Sequence, residues 1–313
     1  LCDLIFDPPQ NNAGFLPEHV TAQQRLFIEL IEGEINDKRR YAISRCESVM
    51  CAEEPYGIPK YGSAEDARAL TPESLTHAWK KVINTARFRV NVLGQSDPAL
   101  IFEQFRQALP QNRREPESIE NTVIRKAGEK VKHVTEKLDI AQGKLCIGFR
   151  AGVAQNEPQY AATRVMTDIF GGGPYSKLFQ NVREKLSLCY YCAARYNMQK
   201  GIILADSGVE FHNFDSARHE IFAQLESLRQ GEFTGEEIDA SKLSLINSAK
   251  SISDSASDLD KWYLDRIFFD DPPSPEEFAA EINAVKKDEI TEAANKVTPD
   301  TVYSLIGLEN TGS

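Results

Sequence analysis

The residues best suited to hydrolytic chemistry in this chain are its five histidines, His19, His77, His133, His212 and His219. A catalytic zinc of the H-x-x-E-H or H-E-x-x-H kind needs two imidazoles on one helix face with a carboxylate base beside them. His133-Val134-Thr135-Glu136 begins the first pattern, but Lys137 stands where the second imidazole is required. His219-Glu220 begins the second, which fails at Ala223. Neither set can activate water, and each histidine reads as an ordinary surface or capping residue.

Two other motifs are formally present. Cys189-Tyr190-Tyr191-Cys192 matches C-x-x-C, a redox or zinc half-site. It falls in a predicted strand, where residues three apart point to opposite faces, so the two sulfurs are expected not to meet. The glycine-rich run FGGGPYSK at 170–177 lacks the G-x-x-x-x-G-K-[ST] spacing of a phosphate loop, and glycines ending a helix account for it.

The elements around these motifs give the chain its organisation. Ala162, Val165, Met166, Ile169 and Phe170 recur at helical spacing, and Gly171 to Gly173 supply the backbone freedom to stop that helix. Ser176 is placed to cap a second helix with Leu178, Phe179, Val182 and Leu186 on its apolar face. Leu188 to Tyr196 then reads as a strand rich in aromatic residues.

Upstream, residues 1–16 read as a helix tail and a loop, and 17–50 as a long helix interrupted near Gly33. Residues 52–62, with two prolines and two glycines, form a loop. Thr71-Pro72-Glu73 starts a helix running to about Ile83, and Phe88 to Leu93 alternates as a half-exposed strand before Gly94. Another helix is predicted at 96–109. Downstream, strands are predicted at 131–135, 144–149, 202–209 and 302–306, with helical segments at 215–230, 235–269 and 275–297. The proline-rich and charged stretch 110–130 reads as an interdomain linker.

A length of 313 residues suits two domains, and 41% apolar residues supply their cores. No apolar run approaches the roughly 20 residues of a membrane helix. The net charge of -11 disfavours a nucleic-acid surface, and the nearest basic cluster, RKAGEKVK at 125–132, reads as solvated linker. Six cysteines without a framework of spacings point to a reducing compartment, hence the cytoplasm.

The segments 71–94 and 286–308 share a capped helix, a short turn and a strand ending in an apolar-Gly pair at Gly94 and Gly307, which implies a repeat. Its offset of 213 starts the second copy near Lys144 and the first about 69 residues before Leu1. The first domain is therefore expected to lack its beginning.

The glycine turn, Ser-x-Leu, Arg183-Glu184 and Tyr190 together resemble the signature of the pitrilysin or insulinase-like zinc peptidases, in the second of their two related domains. The resemblance runs over nearly the whole chain from Phe15. It implies an α+β fold of two pitrilysin-like, metallohydrolase-like domains, each an antiparallel-rich sheet with helices on one side. Residues 1–109 would be the C-terminal part of a truncated first domain, 110–130 the linker and 131–313 the second, inactive-type domain. In the family the matching Arg and Tyr, Arg183 and Tyr190 here, face the zinc across a chamber, hold the substrate backbone and help to stabilise the oxyanion. A guanidinium fork and a phenol suit that role.

INDKRRYA (35–42) and EEPYGIPKYG (53–62) resemble the YmfF-like bacterial branch of that family, whose members generally lack the zinc motif. Glu29, Glu32 and Glu34 fall where the family's distal zinc-ligand Glu would lie, but without the histidines a solvated helix face is the better reading. The resemblance thus implies a peptide-binding subunit with no metal of its own, complementing a zinc-bearing homologous partner or pairing as a homodimer. A scaffold without catalysis, or an active peptidase whose H-x-x-E-H lies upstream of Leu1, are the alternatives.

Overall fold

The computed structural model describes residues 1–109, 114–118, 122–267, 269 and 271–308. Contacts divide the chain into two compact units, Leu1–Glu34 with Pro59–Asn121, and Ile35–Ile58 with Thr122–Ser313. Residues 35–58 precede the predicted 110–130 linker in sequence and cluster with the second unit. Residues 110–113 and 119–121 of that linker lie outside the described residues.

The first unit holds helices α1 (Cys2–Phe6) and α2 (Pro17–Gly33) and a short hairpin of β1 (Gln10–Asn11) and β2 (Gly14–Phe15). The predicted long helix 17–50 is thus two helices, broken at the 3-10 turn Glu34–Asn36 just beyond Gly33. Helices α4 (Ala64–Ala69), α5 (Pro72–Thr85) and α6 (Pro98–Ala108) complete the unit. Thr71 caps α5 reciprocally with Ser74. The strand expected at 88–93 does not form. Its alternation survives, with Phe88, Val90 and Val92 half-buried and Arg89, Asn91 and Leu93 exposed. The segment has no strand to pair with among the described residues, so no ladder satisfies its backbone. Phe88 instead meets the rings of Phe6 and Phe105 at 5.4 and 6.2 Å.

The second unit is built on one sheet of β3 (Lys132–Leu138), β4 (Gly143–Arg150), β5 (Cys189–Asn197), β6 (Ile202–Val209) and β7 (Thr298–Gly307). Their order is β3-β7-β4-β6-β5. Only β3 and β7 run parallel; the other pairs are antiparallel. Helices α7 (Tyr160–Gly171), α8 (Phe214–Arg229), α9 (Gly235–Ile252), α10 (Ala256–Leu264), α11 (Pro275–Ala284) and α12 (Lys287–Lys296) contribute Val165, Ile169, Ile221, Leu245, Trp262, Ile282 and Ile290 to the core that includes Ile147 and Phe149 of β4. Two of the predicted helical segments are each split, by a new cap at Ser255 and by a break at Val285–Lys286.

The opposite face is also covered, which corrects the expectation of helices on one side only. Helix α3 (Lys38–Met50) packs Ala42 and Cys46 against Cys146, Leu204, Tyr303 and Leu305. Strands β4 and β6 therefore bury both their faces, and their near-continuous apolar runs follow from that.

Candidate functional site

Arg183 and Tyr190 are placed by the succession α7, glycine turn, helix, strand. Gly171 lets α7 end directly on β5: a Cβ there would lie 2.3 Å from the Ala194 backbone nitrogen. None of Gly171 to Gly173 has a positive φ, so the turn uses their small size and not the left-handed freedom expected from the sequence. The helix that follows, Leu178–Lys185, is a π-helix that buries Leu178 and Val182. Ser176 Oγ accepts the Phe179 N–H at 3.4 Å. The widened helix closes with Leu188 N–H donating to the Val182 carbonyl at 3.0 Å, and Ser187 takes a φ of 51°. Leu186, expected on the apolar face, is exposed as a result.

Arg183 lies on this π-helix with its guanidinium carbon 4.6 Å from the Phe179 ring centre and its Nε 3.6 Å from Glu184 Oε1. Tyr190 is the extra residue of a β-bulge: Cys189 pairs with Val209 and Tyr191 with Gly208, which leaves Tyr190 without a register partner. Its ring is exposed, and its hydroxyl donates to Glu210. That hydrogen bond raises the phenol's pKa. Among the described residues, the cavities of about 670, 450 and 390 Å³ in this unit are lined by other side chains.

The bulge also corrects the reading of Cys189 and Cys192. With one residue looped out, the two sulfurs fall on the same face, and both pack against the same apolar core. A hydrogen bond from Cys192 draws the Cys189 thiol down to about 7, burial opposes this, and Ser207 and the charge of Arg183 assist. The Cys192 thiol is pushed up correspondingly. All six cysteines are free.

Two polar clusters on the α3 side of the sheet were invisible to motif reasoning. Arg39 of α3 reaches Asp206 of β6, Nη2 donating to Oδ1 at 3.2 Å, and covers the Tyr191 ring at 4.2 Å. Lys144 lies 5.7 Å from the same ring, its pKa lowered by burial first and by the charge of Arg39 next. In the second cluster Glu54 is buried between Arg150, whose Nη2 lies 2.7 Å away, and Lys200. Arg150 Nε also donates to Asp300 at 3.0 Å and its Nη2 to the Met50 carbonyl at 2.8 Å. Burial opposes ionisation of Glu54, but hydrogen bonds from Lys200 and Arg150 outweigh it and hold the carboxyl below its usual range. The only sequence signal of this cluster was Glu54 itself, within EEPYGIPKYG.

His133 lies on β3 and His219 on α8, so their partial motifs share no helix. Glu136, the carboxylate of the first, accepts the hydroxyls of Tyr41 and Tyr303, both at 2.6 Å. Among the described residues, no three His, Cys, Asp or Glu side chains converge as a metal site. No described helix is long and apolar enough to cross a membrane. Glu32 pairs with Arg68, as a solvated helix face allows.

A sheet of this order, covered by helices on both faces and entered through the glycine turn and π-helix, belongs to a known class: residues 69–245 match the peptidase M16 inactive domain. Across 311 residues the chain is 32% identical to a probable inactive metalloprotease, YmfF, of Bacillus subtilis, with 99% of this chain and 72% of that protein aligned. The chain belongs to the M16 peptidase family, and the pitrilysin-like fold expected from the sequence is the fold observed. It is also 24% identical over 326 residues to an uncharacterized zinc protease of Rickettsia felis, covering 98% of this chain and 73% of that one. The crystal structure of a conserved protein from Enterococcus faecalis V583 superposes with a TM-score of 0.91 at 27% identity, over 99% of this chain and 73% of that chain. A peptidase M16 inactive domain from Pseudomonas fluorescens shares the fold, with a TM-score of 0.74 at 18% identity over 96% and 74% of the two chains.

Proposed function

We propose that this chain is a non-catalytic M16 subunit that holds extended peptide while a homologous partner supplies the zinc and the attacking water. The observation that carries this is its alignment, over almost its whole length, with a relative described as a probable inactive metalloprotease. Residues 1–109 are assigned to the C-terminal part of a first peptidase-like domain, 110–130 to the linker and 131–313 to the second domain.

Arg183 and Tyr190 are assigned the handling of the peptide backbone. Both are solvent-accessible donors whose partners, Glu184 and Glu210, are themselves surface groups that can exchange for a substrate carbonyl or oxyanion. β5 is an edge strand of the sheet, so an extended peptide has a row of unpaired backbone groups beside them. The six free thiols support a cytoplasmic location.

The test is co-expression with a zinc-bearing M16 homologue from the same genome, followed by co-purification and a fluorogenic peptidase assay. The complex is expected to form and to cleave, and Arg183→Ala with Tyr190→Phe to weaken peptide binding about tenfold or more. A complex that binds and cleaves equally well with both substitutions would remove their role and leave a scaffold, the reading their local pairing with Glu184 and Glu210 favours.

A further inference from the structure

α7, the end of β5, α10 and α11 line an open cleft of about 390 Å³, a size typical of small-ligand sites. Tyr160, Tyr196, Trp262 and Phe278 wall it, and Arg164, Lys261 and Arg266 face it. Its charges are unevenly matched. Lys261 reaches Asp265 at 2.5 Å, whereas neither arginine has a carboxylate within ion-pair distance among the described residues.

Arg266 is 2% exposed and lies on Trp262, its guanidinium carbon 3.2 Å from the ring centre. Its Nη1 donates to the Trp262 carbonyl at 3.1 Å, while the nearby Tyr160 hydroxyl donates to Met198 Sδ at 3.2 Å. The Arg164 Nε is buried with no hydrogen-bond partner. A buried guanidinium without a counter-ion is costly, and a second cation beside it adds repulsion. Burial lowers the pKa of Arg266 and the charge of Arg164 lowers it further, while Tyr160, Asp265 and Glu281 act in the other direction. In a chain of net charge -11, two arginines left facing one cleft mark a place for an anion.

We propose that this cleft binds a small organic carboxylate bearing an apolar or aromatic group, with the carboxylate between Arg164 and Arg266 and the apolar group against Tyr196, Trp262 and Phe278. The planar guanidinium fork matches a carboxylate, and the aromatic walls discriminate against a fully hydrated inorganic ion. The site uses neither Arg183 nor Tyr190, so it stands independently of the peptidase reading.

The test is calorimetric titration of the full chain with N-acetylphenylalanine, its neutral amide and inorganic phosphate. Saturable binding of the acid is expected, at least about tenfold weaker for the amide and for the acid with Arg164→Gln, with phosphate failing to displace it. The proposal is overturned by no saturable binding of the acid, by equal binding of the amide, by equal binding to the variant, or by displacement with phosphate at concentrations comparable to the acid's. The acid and amide are compared on the unaltered chain, so a variant that failed to fold would still leave the question decided.

Discussion

Two charged regions of the second unit, both next to its sheet, are built to opposite specifications. Around Glu54 the side chains are almost wholly withdrawn from water: Glu54, Arg150, Lys200 and Asp300 are each at most 6% exposed and pair with one another. Around Arg183 and Tyr190 the partners are surface carboxylates and the face of the Phe179 ring. The first arrangement pins the end of α3 and the turn after it to β4 and β7, since none of its charges has an alternative partner in water. The second leaves its donors free to exchange partners, as the proposed handling of peptide would require.

The sharpest way to break this contrast is Glu54→Gln. It leaves Lys200 buried without a carboxylate and Arg150 with Asp300 alone, and a loss of about 3–5 kcal/mol is expected in urea unfolding at neutral pH. A loss below 1 kcal/mol would mean that the cluster is not what fixes α3. The pH dependence follows the same group. Its folded-state pKa is lowered, so its contribution is complete above the ordinary carboxylate value near pH 4.3 and is lost as the pH falls through the lower folded value. The Gln variant should therefore lose less stability on acidification than the parent.

Gly171→Ala comes next, with an expected cost of about 1–3 kcal/mol from forcing α7 off β5. Thermal unfolding measures it, and an unchanged melting temperature would show that α7 can shift without penalty. Cys189 offers a kinetic probe of the bulge. At pH 7 iodoacetamide should modify it faster than Cys46 or Cys146, and Cys192→Ala should move the midpoint of its alkylation-pH curve upward from about 7. An unmoved midpoint would show that the two thiols do not interact. Smallest of all is the effect of Arg183→Ala or Tyr190→Phe on stability: the melting temperature is expected to stay within error, and a clear drop would place them with the structural cluster instead.

Much of the sheet unit was legible because its periodicities are strong. β6 and β7 fell where alternation and apolar runs placed them, and the cap at Thr71 follows from residue type. The rest depended on partners distant in sequence. Phe88 to Leu93 carries a strand pattern, but a pattern makes no ladder without a neighbour. α3 reads like a continuation of α2, and only the buried pairing of Glu54 with Arg150, nearly a hundred residues on, shows where it belongs. At Cys189 and Cys192 the strand rule failed because a single looped-out tyrosine is not encoded in residue spacing. Arg183 and Tyr190 were singled out only by family resemblance, while Arg164 and Arg266 carry no motif and are brought to one cleft only by tertiary packing.

The strand order has a consequence for how the molecule is made. β7 lies between β3 and β4, yet it emerges from the ribosome after every helix that covers the sheet. Until it inserts, β3 has no neighbour and β4 has a bare edge, so this unit must wait for long-range closure before its centre exists. A nascent chain stalled before Thr298 would carry its helices around an open seam, a state suited to capture by chaperones and to mispairing with another chain.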